Sequence, residues 1–205
     1  CLGVSALTRS PRGMASPFMR SVPDALCVIT QLTHRTNYGG YPANFTVVGN
    51  IFYFTANDVP QTGTLVVSNG TQLWKSDGTL AGTTKLMAII PGGGVSYPGS
   101  LTPVGSTLYF VAGDASTGSE LWKSDGTAKN TMMVKNINPA THGYPDSLTA
   151  VGSTLYFSAN DGANGYELWK SNGTDLGTVM VKNIGSLASS SSPSMLTAVG
   201  DTLYF

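Results

Sequence analysis

At 205 residues the chain is long enough to bury a core, as one large domain or two small ones. Its formal net charge is zero and only 11% of residues are charged, which removes the electrostatic footprint that nucleic acid or an anionic membrane demands. No apolar run approaches the roughly 20 residues that span a bilayer, and two cysteines are too few for a disulfide framework.

Taken in chain order, residues 1–13 match nothing else in the sequence and read as a tail. The opening Cys1 reads as an incidental cysteine on a processed chain or fragment, and Cys27 lacks zinc-ligand spacing. Residues 14–43 read as the back half of a degenerate unit: Phe18-Met-Arg-Ser echoes a later Leu-Trp-Lys-Ser, and Leu26 to Leu32 follows where later units place an apolar strand. All four arginines lie before residue 40 and all seven lysines lie at or beyond Lys75, a composition boundary near residue 40. Full units then occupy 44–99, 100–146 and 147–194, and a partial unit runs over 195–205.

Two phrases set this division. Leu-Trp-Lys-Ser-(Asp/Asn)-Gly-Thr recurs at Leu73 to Thr79, Leu121 to Thr127 and Leu168 to Thr174, and Trp74, Trp122 and Trp169 are the only tryptophans. Val-Gly-(Ser/Asp)-Thr-Leu-Tyr-Phe recurs from Val104, Val151 and Val199, with a looser copy from Val48. Self-similarity at this period signals a propeller or a stacked array. Within the third full unit, β-branched and aromatic runs bounded by Gly, Asn, Asp and Pro predict strands over 148–151, 154–159, 166–171 and 179–184. No stretch sustains a 3.6-residue period, so helix is not expected. The reading is therefore an all-β propeller of four-stranded antiparallel blades. It is either a ring of four, its last blade shared between the two ends of the chain, or a fragment of a longer propeller, which the abrupt stop at Phe205 favours.

The turns carry their own chemistry. Val-Gly-Ser-Thr supplies a glycine for a tight reversal, and Ser-Asp-Gly-Thr-x-x-Gly-Thr joins an Asx turn to two glycines. Asn172 replaces the Asp and Asn130 replaces the second Gly, which suggests that backbone shape, left-handed at that Gly, is what is kept. In the first unit 19 residues separate Phe54 from Trp74 against 11 in the others, which predicts a longer loop around Val59 to Val67. Leu168 and Trp169 fall on opposite faces of their strand, so both faces are buried, with the Trp wedged between neighbouring blades.

Glu120-Leu-Trp-Lys-Ser-Asp-Gly-Thr127, with Gly82-Thr83 and Gly177-Thr178 following in the first and third units, resembles the ELWxxDGT repeat family. The resemblance covers roughly 44–205; Gln72, Asn172 and Asn130 depart from the pattern. It implies an exported, mostly bacterial repeat protein with propeller-like blades, and it brings no catalytic residues.

Chemistry is sparse. Asp58, Asp114 and Asp161 end the second strand of each unit, and Asn160-Asp161-Gly-Ala-Asn164-Gly-Tyr-Glu167 spaces oxygen ligands in a way that suits calcium. The plainer reading is that these acids satisfy turn amides, so no metal is assigned. His34 and His142 have no partnering Cys or His for zinc. Glu120 and Glu167, the only glutamates, hold equivalent positions, whereas glycoside hydrolysis needs two carboxylates in distinct environments. No nucleophile elbow or phosphate loop occurs. Tyr41, Tyr97 and Tyr144, each before a Pro, fall on the same rim of a propeller as Asp58, Asp114 and Asp161, where flat apolar rings beside carboxylates and amides suit a sugar. Packing of the Tyr-Pro loop on the next blade is the plainer account, since Ser192-Pro193 lacks the Tyr. Three sequons, at Asn44, Asn69 and Asn172, and richness in Gly, Ser, Thr and Asn suit an exported protein. The sequence thus reads as a non-enzymatic extracellular or cell-surface interaction or structural module for a protein or polysaccharide partner, with no membrane span. The alternative is a lectin-like, calcium-assisted carbohydrate binder.

Overall fold

The computed structural model describes residues 41–57, 70–87, 96–114, 116–185 and 189–205. The tail, the partial unit up to residue 40, Asp58 and the loop expected around Val59 to Val67 lie outside the described residues. Among the described residues there is no helix, and the strands form four antiparallel sheets. Sheet one holds β1 (Ala43–Val48), β2 (Ile51–Asn57), β3 (Thr71–Ser76) and β4 (Thr84–Met87). Sheet two holds β5 (Gly99–Val104), β6 (Thr107–Asp114), β7 (Gly118–Ser124) and β8 (Met132–Lys135). Sheet three holds β9 (Asp146–Val151), β10 (Thr154–Asn160), β11 (Tyr166–Ser171) and β12 (Val179–Lys182). A two-stranded sheet, β13 (Thr197–Val199) with β14 (Thr202–Tyr204), follows. Spatial order equals chain order in every sheet.

Two-residue hairpins join the first two strands. Val48 pairs with Ile51 around Gly49-Asn50, and Gly49, Gly105, Gly152 and Gly200 all take φ near +60° (57 to 60), as a type II′ turn requires of its first central residue. The two repeated phrases are cross-strand partners: Phe54 faces Trp74, Phe110 faces Trp122 and Phe157 faces Trp169. Such aromatic pairs fix register, because a one-residue slip would send every side chain to the wrong face. Strand four of sheet three stops at Lys182, two residues short of the expected end. The reason is local: Ile184 N–H donates to Glu167 Oε2 at 3.0 Å instead of entering the ladder.

The core lies between sheets. Val48, Tyr53, Leu73 and Leu86 of sheet one pack with Leu108, Phe110, Ala112 and Trp122 of sheet two. Val104, Tyr109, Leu121, Val134 and Ile137 then meet Leu155, Phe157, Ala159 and Trp169 of sheet three. Leu121 and Trp122 are adjacent and both buried because sheet two is covered on both faces, and each of Trp122 and Trp169 wedges onto the preceding sheet. Trp74 is only half-buried and stacks on Phe54, ring centroids 6.3 Å apart.

First strands sit side by side, β1 against β5, β5 against β9 and β9 against β13. A threonine ladder ties them. Thr46 Oγ1 donates to Leu101 O at 3.2 Å, Thr102 Oγ1 to Leu148 O at 3.4 Å and Thr149 Oγ1 to Leu196 O at 3.1 Å. Each hydroxyl replaces a hydrogen bond that a first strand, paired on one side only, lacks on the other.

Candidate functional site

The repeated phrase is a set of clamps. Fully buried Glu120 accepts Ile137 N–H at 3.0 Å and Gly143 N–H at 2.7 Å, pinning the connection from β8 to β9. Glu167 does the same one sheet on, accepting the amides of Ile184 (3.0 Å), Gly185 (3.1 Å) and Ser191 (3.2 Å) and the Ser191 hydroxyl (2.6 Å). Burial pushes the Glu167 carboxyl up, but these four donors outweigh it and hold the group below the usual range. Lys75 Nζ donates to Gly126 O at 2.6 Å and Lys123 Nζ to Gly173 O at 2.8 Å, so each lysine caps the turn of the following sheet. Burial raises the Tyr53 and Tyr109 phenols, whose hydroxyls lie against those same two glycines.

The turn itself is an Asx turn. Asp125 Oδ1 accepts Thr127 N–H at 2.9 Å and the Thr127 hydroxyl at 2.7 Å, and Asn172 Oδ1 makes the same pair with Thr174 at 3.0 and 2.8 Å. An amide oxygen therefore serves as well as a carboxylate. Asp125 also takes Asn130 Nδ2 at 2.5 Å, and hydrogen bonds from Asn130 and Thr127 bring its carboxyl down to about 2. The expected left-handed backbone at the second glycine is corrected: neither Gly82 and Gly177 nor Asn130 has positive φ. In the first and third units the glycine leaves room for the side chain of Asp77 or Asn172, which a Cβ would overlap, whereas in the second unit Asn130 stands there and bonds to Asp125 instead.

The tyrosines named from sequence are exposed: Tyr41 72%, Tyr97 74% and Tyr144 50%. All three adopt φ of 43° or 44°, in the left-handed region that bulky side chains rarely enter, and Ser192 takes 49° at the same place. Main-chain hydrogen bonds stitch their connections to the ends of strands two and three. Gly113 N–H donates to Ser96 O, Tyr144 N–H to Ser119 O, Asn160 N–H to Gly143 O and Ser192 N–H to Tyr166 O. Tyr144 also stacks on His142 at 4.7 Å, and His142 Nδ1 accepts Ser119 N–H at 2.8 Å.

Of the acids, Asp161 follows Asn160 in this seam, Asp114 ends β6 opposite Gly118, and Asp58 lies outside the described residues. Asp161 Oδ1 accepts the amides of Ala163 and Asn164, and its Oδ2 accepts Asn164 Nδ2 at 2.7 Å. Burial raises its carboxyl, and these bonds bring it below the usual range. Its oxygens therefore tie the β10–β11 loop. Among the described residues no three His, Cys, Asp or Glu side chains gather as a metal set.

Sequence reasoning missed the residues three places after each tyrosine and after Ser192. Asn44, Ser100, Ser147 and Met195 have φ of 54, 51, 55 and 54°, and the first three lie at a bulge in their strand. Between these strands opens a cavity of about 340 Å³ bordered by Asn44, Ser100, Asp146 and Ser147. Left-handed serine leaves no trace in sequence; the only signal was a fixed offset from Tyr-Pro. No protein-family model, curated protein or solved structure matches the chain. The site is thus read from its chemistry.

Proposed function

We propose that the chain is a non-enzymatic interaction module, its sheets the blades of a β-propeller of the ELWxxDGT kind, exported to the cell surface or beyond. Its contact surface is the rim carrying Tyr41, Tyr97 and Tyr144, and its partner is a protein or polysaccharide surface. The observation behind this is the exposure of three tyrosines at one repeated bend that Ser192 adopts without an aromatic ring. The bend serves the scaffold; the rings are surplus to it. Exposed tyrosines at fixed backbone positions offer contact area at low entropic cost.

A lectin-like reading is favoured by one detail. Tyr144 is braced on His142, and its connection is bonded to Asn160, beside the carboxylate of Asp161. That combination offers a flat apolar face next to hydrogen-bonding groups. The experiment is a glycan, polysaccharide and protein-partner binding screen, run with calcium and again with chelator. Tyr97→Ala with Tyr144→Ala should weaken any binding by roughly tenfold or more. Undiminished binding in the double variant would move the contact surface off this rim, and sensitivity to chelator would bring calcium into it.

A further inference from the structure

We propose that the cavity between β1, β5 and β9 is a binding site for a neutral, hexose-sized polyol. The site is separate from the tyrosine rim and does not depend on the reading given for it. At about 340 Å³ it lies at the small end of ligand pockets and has room for one sugar ring.

Its lining breaks the regularity of the units. Scaffold positions are copied: Thr-Leu-Tyr-Phe stands at 107–110, 154–157 and 202–205. Of the lining positions, Thr46 with Thr102, Ser100 with Ser147 and Leu101 with Leu148 are copied as well, and three residues depart. Ala43 and Gly99 correspond to Asp146, the one carboxylate among the described residues at the cavity; Asn44 corresponds to Ser100 and Ser147; Phe45 corresponds to Leu101 and Leu148. One acid, one amide and one aromatic ring are thus placed singly, where equivalent positions elsewhere carry small or aliphatic residues. These three departures stand together around one opening, whatever their origin in the units.

The chemistry of these three matches a sugar. Phe45 is 45% exposed, yet its ring is fixed by stacking on Phe54 at 5.8 Å, so it offers a rigid apolar face for ring C–H groups. Asn44 borders the cavity and its Nδ2 donates to Thr55 Oγ1 at 3.1 Å, so the acceptor it can offer a ligand hydroxyl is Oδ1. Asp146 Oδ1 already accepts the Ser147 amide at 2.7 Å, leaving Oδ2 for a charge-assisted hydrogen bond. The walls are set in advance, because Thr46 and Thr102 bond across to the next strand. Among the described residues no Lys or Arg borders the cavity, which disfavours an anion, and the one carboxylate there falls short of a calcium shell.

The test is saturation-transfer NMR and amide-shift titration of the full chain with D-glucose, D-galactose, D-mannose and N-acetyl-D-glucosamine. Sodium sulfate and calcium chloride serve as ion controls. At least one hexose should bind with a dissociation constant on the order of millimolar and shift the amides of residues 44–46, 100–102 and 146–148. Asp146→Asn and Asn44→Ala, both at exposed positions, should each weaken binding about tenfold. Phe45→Ala should abolish it. The proposal is overturned if no hexose binds at concentrations on the order of 50 mM, a limit corresponding to about 2 kcal/mol. It is equally overturned if binding survives Asp146→Asn and Asn44→Ala intact, or if only calcium or sulfate shifts these amides.

Discussion

Glu167 shows what a buried charge requires. It is fully buried and survives as a carboxylate because four donors from one connection converge on it. Its folded pKa lies below the ordinary 4.5, so in acid the unfolded chain binds the proton first. The stabilisation is therefore complete above about pH 4.5 and is lost as pH falls through the folded value. Glu167→Gln puts an amide where two acceptor oxygens stood, leaving a buried N–H or hydroxyl poorly matched. The expected cost at neutral pH is about 1–3 kcal/mol, with a flatter acid limb than wild type, read by urea titration across pH. Equal slopes in both proteins would remove Glu167 from the acid response.

Glycines separate two causes in the same way. Gly105 has φ +58° and nothing within 4 Å of a would-be Cβ, whereas Gly126 has φ +90° with Tyr53 Oη 2.6 Å from that position. Gly105→Ala should cost about 1 kcal/mol from backbone conformation alone, and Gly126→Ala clearly more, since it also displaces the phenol. The sequence made the Asp-to-Asn exchange at 172 legible, because both side chains offer the same oxygen to a Thr. It misled at Gly82, where the constraint is a neighbouring Asp77 side chain and not a dihedral.

At the scale of the strand, the tryptophan is valued for its volume. Trp122 and Trp169 are 6% exposed, and their Nε1 groups have no hydrogen-bond partner among the described residues. Shape, and not the indole N–H, is what the interface uses. Trp122→Phe, which keeps most of the ring but leaves a small cavity, should then cost clearly less than Trp122→Ala, at about 3–5 kcal/mol. Trp74→Ala should fall below the latter, because Trp74 is only half-buried. Chemical denaturation of the three variants checks the order, and a Trp122→Phe loss as large as Trp122→Ala would restore a role to the N–H. Strand type and pairing were legible here, since alternation and Gly turns are local properties. Strand ends were less so: β12 stops where a side chain two strands' length away in sequence captures its amide. The bulge that turns Asn44, Ser100 and Ser147 into the left-handed region lies in the pairing of the first two strands of each sheet, and no residue type marks it.

Among the described residues the same lysine contact recurs at the first two junctions, each between adjacent sheets. Lys75 reaches Gly126 from sheet one to sheet two, and Lys123 reaches Gly173 from sheet two to sheet three. The period in the sequence foretold repeated units, but not that a lysine and a tyrosine of one unit close the turn of the next. This arrangement makes a definite claim about cooperativity. In a nearest-neighbour array, the two junctions contribute independently. Lys75→Met and Lys123→Met should each cost about 1 kcal/mol, the lower end for a charged donor that stays partly solvated. The double variant should lose the sum to within about 0.5 kcal/mol. A loss well beyond the sum would mean that strain at one junction is transmitted through sheet two to the other, as expected where the sheets close on themselves and no junction can relax alone. The coupling energy of two lysines therefore reports which architecture the units build, without reference to any ligand.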